Sequence, residues 1–298
     1  MNSASVVRMI LPVVCGLGMS AAALAQSGSM SYDAFSNGPR ADLDGSSAGT
    51  GWTTPWMDMG QGGNISVTNH ADGLSFMGLG VKPGCAQVPE AVYPAMVDYA
   101  RGHAAISGNT MYMSFLLRPR ADASNWFTLR LGTYPSQVDV GVPLGSFEYG
   151  FMLGDGVFAL SPVPVQVGKT VFLVLEVEHL TANNSTAYRL YINPTPGQPK
   201  PSWAMAEYGR TGIRPFGSYV EPLGYGGYTM DELRFGSTWS QVTPCGADFN
   251  ADGFVNGNDY DEFASAFDVA DPIADINGDG FVNGNDYDEF ASAFDAGC

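Results

Sequence analysis

The chain has 298 residues, 45% of them hydrophobic, and a formal charge of −17 at pH 7. Such a length suits one large domain plus a small one. The hydrophobic share excludes wholesale disorder, and the acidity excludes a nucleic-acid binder, which needs a basic patch. The 38 glycines and 19 prolines mark many turns and point to β-structure.

Residues 1–25 read as a secretory signal peptide. Arg8 supplies the positive start, an apolar stretch follows, and Ala23-Leu24-Ala25 forms an A-x-A cleavage signal ahead of Gln26. No later segment approaches the ~18 uninterrupted apolar residues of a spanning helix. The mature protein is therefore expected to be secreted or held at the extracellular cell surface, with no transmembrane segment after signal removal. Export permits disulfides. Cys15 leaves with the signal, and of Cys85, Cys245 and Cys298 the last two bracket the acidic tail, which makes them the favoured pair. Cys85 then reads as a buried or loop thiol.

From 26 to 241 the pattern has period two. The runs 111–118, 125–131, 147–153, 170–180, 187–193 and 229–236 are rich in aromatic and β-branched residues and are separated by Gly, Pro, Asn or Asp. Residues 64–68 and 73–78 look like a further pair of strands, and no amphipathic helix stands out. Eight or more antiparallel strands predict a mainly β jelly-roll sandwich.

For a catalytic site the region offers little. Glu176 and Glu178 share a strand face but read as a solvated or groove-lining pair; His70, His103 and His179 have no ligand spacing, and no nucleophile or phosphate motif appears. The expectation is no enzyme and no catalytic residue. The segment 207–228 reads instead as a long aperiodic loop, with Tyr208, Arg210, Arg214, Tyr219, Tyr225 and Tyr228 as candidate ligand-binding residues. Rings of that kind stack on sugars, and arginine forks grip hydroxyls or carboxylates. The five tryptophans are assigned to core or rim packing.

The tail is different in kind. From Cys245 to Cys298 there are 13 acidic residues and no Lys or Arg, so the rest of the chain carries only 17 acids against 13 bases. Residues 247–267 and 274–294 are copies of one phrase that differ at two positions. Oxygen-bearing residues fall at loop positions 1, 3, 5, 9 and 12: Asp248, Asn250, Asp252, Asn256 and Asp259, then Asp275, Asn277, Asp279, Asn283 and Asp286. Glycine stands at position 6, as Gly253 and Gly280, and the carbonyls of Phe254 and Phe281 at position 7 would add a backbone oxygen. This is the spacing of a calcium loop, and two calcium ions are expected. Val255 and Val282 are expected to pair the loops through a short β-contact. A helix with an apolar stripe should follow each loop, through Tyr260, Phe263, Ala264 and Phe267 and through Tyr287, Phe290, Ala291 and Phe294.

This tandem half-hand resembles the type I dockerin module over the last 54 residues. The resemblance implies a calcium-folded plug over 242–298 that docks into a cohesin-like protein or cell-surface component, with recognition residues at Gly257, Asn258, Gly284 and Asn285. Dockerins of cellulosomes carry hydroxyl residues at those positions, and this chain does not. The region 26–241, through YDAF, VFLVLEVEHLTANNSTAYRLYINPTPG and MDELRFGSTW, resembles the concanavalin A-like lectin/glucanase superfamily, in particular its LamG-like members. Together the resemblances imply a secreted recognition or attachment protein that binds a polysaccharide or surface ligand. The alternatives are a dockerin-tethered polysaccharide hydrolase or lyase, and a structural cell-surface protein.

Overall fold

The computed structural model describes residues 30–35, 43–59, 68–70, 73–82, 84–88, 96–103, 106, 108–121, 123–212, 219–250, 254–277 and 279–297. Among these described residues fifteen strands follow in chain order: β1 (Ser31–Asp33), β2 (Met57–Asp58), β3 (Thr68–His70), β4 (Cys85–Val88), β5 (Val97–Gly102), β6 (Thr110–Pro119), β7 (Phe127–Leu131), β8 (Val138–Val142), β9 (Glu148–Leu153), β10 (Phe158–Pro164), β11 (Val171–Leu180), β12 (Ser185–Ile192), β13 (Ala206–Thr211), β14 (Tyr219–Gly224) and β15 (Tyr228–Gly236). Helices α1 (Trp239–Val242), α2 (Gly257–Asp268) and α3 (Gly284–Ala296) come after them.

All strand pairings are antiparallel, in two sheets. The first runs β13-β12-β11-β6-β15-β4-β3, with β1 also on β15; the second runs β10-β9-β8-β7-β14-β5-β2. The sheets face each other across one apolar core, to which β11 gives Val171, Leu173, Leu175 and Val177, and β7 gives Phe127, Leu129 and Leu131. The mainly β jelly-roll-type sandwich is thus present, and the six runs with clear alternation all lie on strands.

The two outward faces are treated differently. The other phase of β11, Phe172 and Val174, is also apolar and is buried under Leu74, Leu79, Val81 and Val242, from the segment 73–82 and from α1. A strand covered on both sides reads as a continuous hydrophobic run, as VFLVLEV does. The outward phase of the second sheet is buried at Thr128, Asp139, Ala100 and Leu223 as well, but it is part polar and forms no apolar cluster of its own among the described residues.

Several expectations change here. Residues 73–78 form loop and turn, because Leu74 and Leu79 anchor the cover of the first sheet and do not pair with a neighbour; 64–67 lie outside the described residues. The segment 207–228 is not one long loop: it contributes β13 and β14, whose Pro, Gly and Glu content hides the alternation. The start of the chain is pinned by the buried Asp33, which accepts hydrogen bonds from the Trp56 indole at 2.9 Å, the Phe35 amide at 2.8 Å and the Arg101 guanidinium. Gly51, at φ 74°, lies so close to β1 that a Cβ there would sit 2.0 Å from the Met30 carbonyl oxygen.

A third cluster holds the repeats together. Phe263 of α2 and Phe290 of α3, both fully buried, stack with centroids 4.0 Å apart and planes 8° apart, with Ala247, Ala274 and Ile276 around them. Val255 and Val282 pack against this cluster, and the short β-contact expected between them is not among the strand pairings of the described residues. The tail reaches the sandwich through a bridge between Cys245 and Leu79 and through the Gly246 amide on the Gly78 carbonyl at 2.9 Å.

Candidate functional site

On the second sheet the inward phase is apolar, so the alternate residues are outward. These are Thr128 and Arg130 on β7, Asp139 and Gly141 on β8, Glu221 and Leu223 on β14, and Asp98 and Ala100 on β5. Register then lays the charges side by side. Arg130 is the Cα partner of Asp139 on one side and of Glu221 on the other, and Asp98 pairs with Leu223 on the next strand.

The Arg130 guanidinium donates through Nε to Asp139 Oδ1 at 2.8 Å and through Nη2 to Oδ2 at 3.0 Å, a two-bond fork. Its Nη1 stands 3.8 Å from Glu221 Oε2. Asp139 is fully buried, whereas the Arg130 and Glu221 side chains keep 25% and 22% exposure and so remain reachable. Burial works against the Arg130 charge, yet the hydrogen bonds and charge of Asp139, with Glu221 and Asp98 behind them, hold it above its ordinary value. Burial raises the Glu221 carboxyl; the Arg130 charge opposes this, and the charges of Asp98 and Asp139 add to the rise. Asp98 is raised by burial, eased by Arg130 and pushed further by Asp58. Two carboxyls raised by burial thus lie to one side of an arginine clamped on its other side to a third.

Aromatic side chains sit at the same face. Trp126, just before β7, meets Tyr225, just after β14, edge to face at 5.0 Å, and the Tyr225 amide donates to the Trp126 carbonyl at 3.0 Å. Tyr219 is 42% exposed at the far end of β14. The Trp126 indole nitrogen and Thr128 Oγ1 are buried with no hydrogen-bond partner among the described residues. A buried polar atom without a partner is costly, and here there are two, one just before β7 and one on it.

The expected ligand set is split by this geometry. Tyr219 and Tyr225 join the charged row. Tyr228 is fully buried in the core, stacked on Phe127 at 5.1 Å. Tyr208 and Arg210 lie on β13 of the other sheet, Tyr208 against the core and Arg210 ion-paired to Asp155 at 2.7 Å. Arg214 falls outside the described residues. Nor are Glu176 and Glu178 a solvated pair. Glu176 is buried, accepting from Lys200 Nζ at 2.6 Å and from the Tyr191 and Tyr112 hydroxyls at 3.0 and 3.2 Å. Burial would raise its carboxyl, but Lys200, Tyr191 and Arg189 together hold it below the ordinary value. Glu178 is bound to Arg189 at 2.8 Å.

In the second acidic loop, Asp275 accepts from the Gly280 and Asp279 amides at 2.8 and 3.1 Å, Asn277 from Asp279 at 2.8 Å, and Asp279 from Phe281 at 2.9 Å. Asp286, fully buried, reaches back to the amides of Asn277 at 3.2 Å and Asn283 at 2.8 Å. Asp259 does the same for Asn250 at 3.1 Å and Asn256 at 2.8 Å. Asn256 and Asn283 cap α2 and α3, and the Phe254 and Phe281 carbonyls accept from their side-chain amides. No group of three or more His, Cys, Asp or Glu among the described residues forms a metal cage on its own. The donor set is nonetheless one of hard oxygens, and Asp275, raised by burial, also feels the charges of Asp286 and Asp279, which is the environment that suits a calcium ion. Asp248 and Asn250 lie in the first loop, while Asp252, Gly253 and Cys298 fall outside the described residues. Gly257, Asn258, Gly284 and Asn285 are exposed in the first turns of α2 and α3. Cys85 is a buried thiol on β4. Among the described residues no helix is long and apolar enough to cross a membrane.

Comparison with protein-family models and with curated proteins gives no match. Among solved structures, the chain is similar to domain 4 of AbnA, a GH43 extracellular arabinanase from Geobacillus stearothermophilus, at 17% identity and TM-score 0.40, covering 72% of this chain and 97% of that one. It is similar to a GH131 β-glucanase catalytic domain from Podospora anserina at 14% identity and TM-score 0.40, covering 69% and 94%. It is also similar to the lectin UEA-II at 11% identity and TM-score 0.32, covering 59% and 95%. The expectation of a non-catalytic chain is corrected here: catalytic domains stand beside a lectin in this set, so the architecture does not separate binding from catalysis.

Proposed function

We propose that the protein is exported and polysaccharide-active, with a sandwich over 26–241 that engages a glycan across the outward face of its second sheet. Its tail, 242–298, then folds around two calcium ions and anchors the chain to a cohesin-like or surface partner. The observation that carries the glycan reading is the Asp139–Arg130–Glu221–Asp98 row on the outward face of the second sheet, with Arg130 and Glu221 partly exposed between the Trp126–Tyr225 pair and Tyr219. Flat rings take the apolar faces of sugars, and clamped charged groups take their hydroxyls.

The calcium reading rests on the two matched loops and on carboxylates that crowd one another in the second. Residues Asp248, Asn250, Asp252, Asn256 and Asp259, with Asp275, Asn277, Asp279, Asn283 and Asp286, would hold the ions, and a Cys245–Cys298 bridge would clasp the ends. A second reading, cleavage of the bound glycan, is favoured by one observation: Glu221 and Asp98 are both raised by burial at this face, and glycoside chemistry uses a raised carboxyl as its general acid.

The test is binding and turnover of soluble polysaccharides by the full chain, native and Tyr225→Ala. Binding that weakens at least tenfold in the variant supports the assignment of the face; equal binding removes it. Reducing-sugar or unsaturated-product release that Glu221→Gln abolishes selects the second reading. Calorimetry of the EDTA-stripped chain is expected to give about two calcium ions, and no heat of binding sinks the metal reading.

A further inference from the structure

The row on the second sheet also says which glycans it accepts, an inference that rests on the proposed glycan site. The four strands β8, β7, β14 and β5 carry two arginines. Arg101 is turned inward and buried, paired with Asp33 and donating to the Ala48 carbonyl at 2.7 Å. Among the described residues of these strands only Arg130 serves the outward face, and its charge is already shared between two carboxylates. Nε and Nη2 are on Asp139, and Nη1 faces Glu221. Against this one cation stand Asp98, Asp139 and Glu221, so the row carries a formal −2 (one minus three). The other polar atoms in the same outward phase, Thr128 Oγ1 and the Trp126 indole nitrogen, are neutral and lack a partner among the described residues.

We infer that this face takes a neutral, hydroxyl-rich polysaccharide and rejects chains of uronic acid. Sugar hydroxyls donate to Glu221 and Asp98, and the carboxylates relieve their mutual repulsion by accepting those hydrogen bonds. A uronate brings a third uncompensated charge to the same place and finds, among the described residues of the row, only a cation already shared with Asp139 and Glu221. The rest of the chain offers little help at longer range, since even outside the acidic tail 17 acids face 13 bases and like-charge repulsion extends over roughly a 10 Å screening length at 0.1 M salt.

The test is affinity electrophoresis and calorimetry of the native full chain against a mixed-linkage β-glucan, a xylan, polygalacturonate, alginate and a glucosamine polymer. Each is run at low and at 0.5 M salt, with Glu221→Gln as the variant. A neutral chain is expected to bind at least tenfold more tightly than either uronate, the gap narrowing in high salt and in the variant. The salt dependence is read on the native protein and stands even if the variant folds poorly. Uronate binding as tight as neutral binding overturns this inference and leaves the glycan site intact. Binding confined to the glucosamine polymer also overturns it, in favour of a cationic ligand. No binding to any of the five removes the glycan reading itself.

Discussion

Replacing Arg130 by glutamine removes a guanidinium that makes two charge-assisted hydrogen bonds, at 2.8 and 3.0 Å, to a carboxylate with no exposed surface. Deleting one partner of such a buried pair costs about 3–5 kcal/mol, because the other charge is left desolvated and uncompensated. Glutamine can restore one weaker bond, and Arg130 is itself partly exposed, so the lower end, ~3 kcal/mol, is expected. For a domain of this size that is a fall in Tm of roughly 6–12 °C. The assay is thermal unfolding followed by tryptophan fluorescence at neutral pH. A companion variant makes the reasoning specific. Asp139→Asn in the Arg130→Gln background removes the stranded charge and should recover about 2 kcal/mol as a coupling energy. A single variant within 1 kcal/mol of the native chain, or a double variant no better than the single, would refute the claim that Arg130 is held in place by a charge that needs it.

Three further outcomes are expected. Asp231 and Glu232 are buried neighbours; burial raises both, and the Glu232 charge raises Asp231 further. A carboxyl raised on folding lends stability that is full at pH below its unfolded value, about 3.9 for Asp, and lost as pH climbs through the folded value. The Tm of Asp231→Asn relative to the native chain should therefore rise between pH 4 and pH 8; a flat or falling difference counts against it. Phe290→Ala empties one half of a fully buried stack and should cost about 3–5 kcal/mol, read as faster hydrogen exchange across α2 and α3 with the sandwich unchanged. Gly51→Ala combines a φ of 74° with a Cβ 2.0 Å from a carbonyl oxygen and should lower stability by about 2 kcal/mol or more; a neutral result would mean that β1 can move aside.

The sandwich was legible where each strand's two faces differ or where the run is long. MYMSFLLR and VFLVLEVEHL declared themselves, and β6 and β11 are central strands. Among the strands that escaped notice, several carry glycine or proline: Gly141 in β8, Pro222 in β14, Pro164 in β10. Proline there does not break the ladder, since the Cα partner of Pro222 on β7 is Leu129 and the strand still pairs on both sides. The pattern 73–78 failed for the opposite reason. Its alternating apolar residues are real, but they bury themselves on the outside of a sheet and not between two sheets.

The site was hidden by distance along the chain. An acidic loop is a contiguous phrase of twelve residues, and its repetition exposes it. The charged row instead takes one residue from each of β5, β7, β8 and β14, and in each of those strands it is a charge in the outward phase of a short run: Asp98 in VDYARG, Arg130 in FTLRL, Asp139 in VDVGV and Glu221 in YVEPLG. That signal was present four times over, yet each instance alone reads as a solvated edge. Only the strand order β8-β7-β14-β5 turns four scattered charges into neighbours. Strand order is a property of the closed sandwich, fixed by which inward faces pack together, so no window of sequence contains it. The aromatic loop residues were caught for a reason that half survived: Tyr219 opens β14 and Tyr225 directly follows it, on either side of Glu221, whereas Tyr228, three residues further on, follows a turn through Gly226 and Gly227 that sends it into the core.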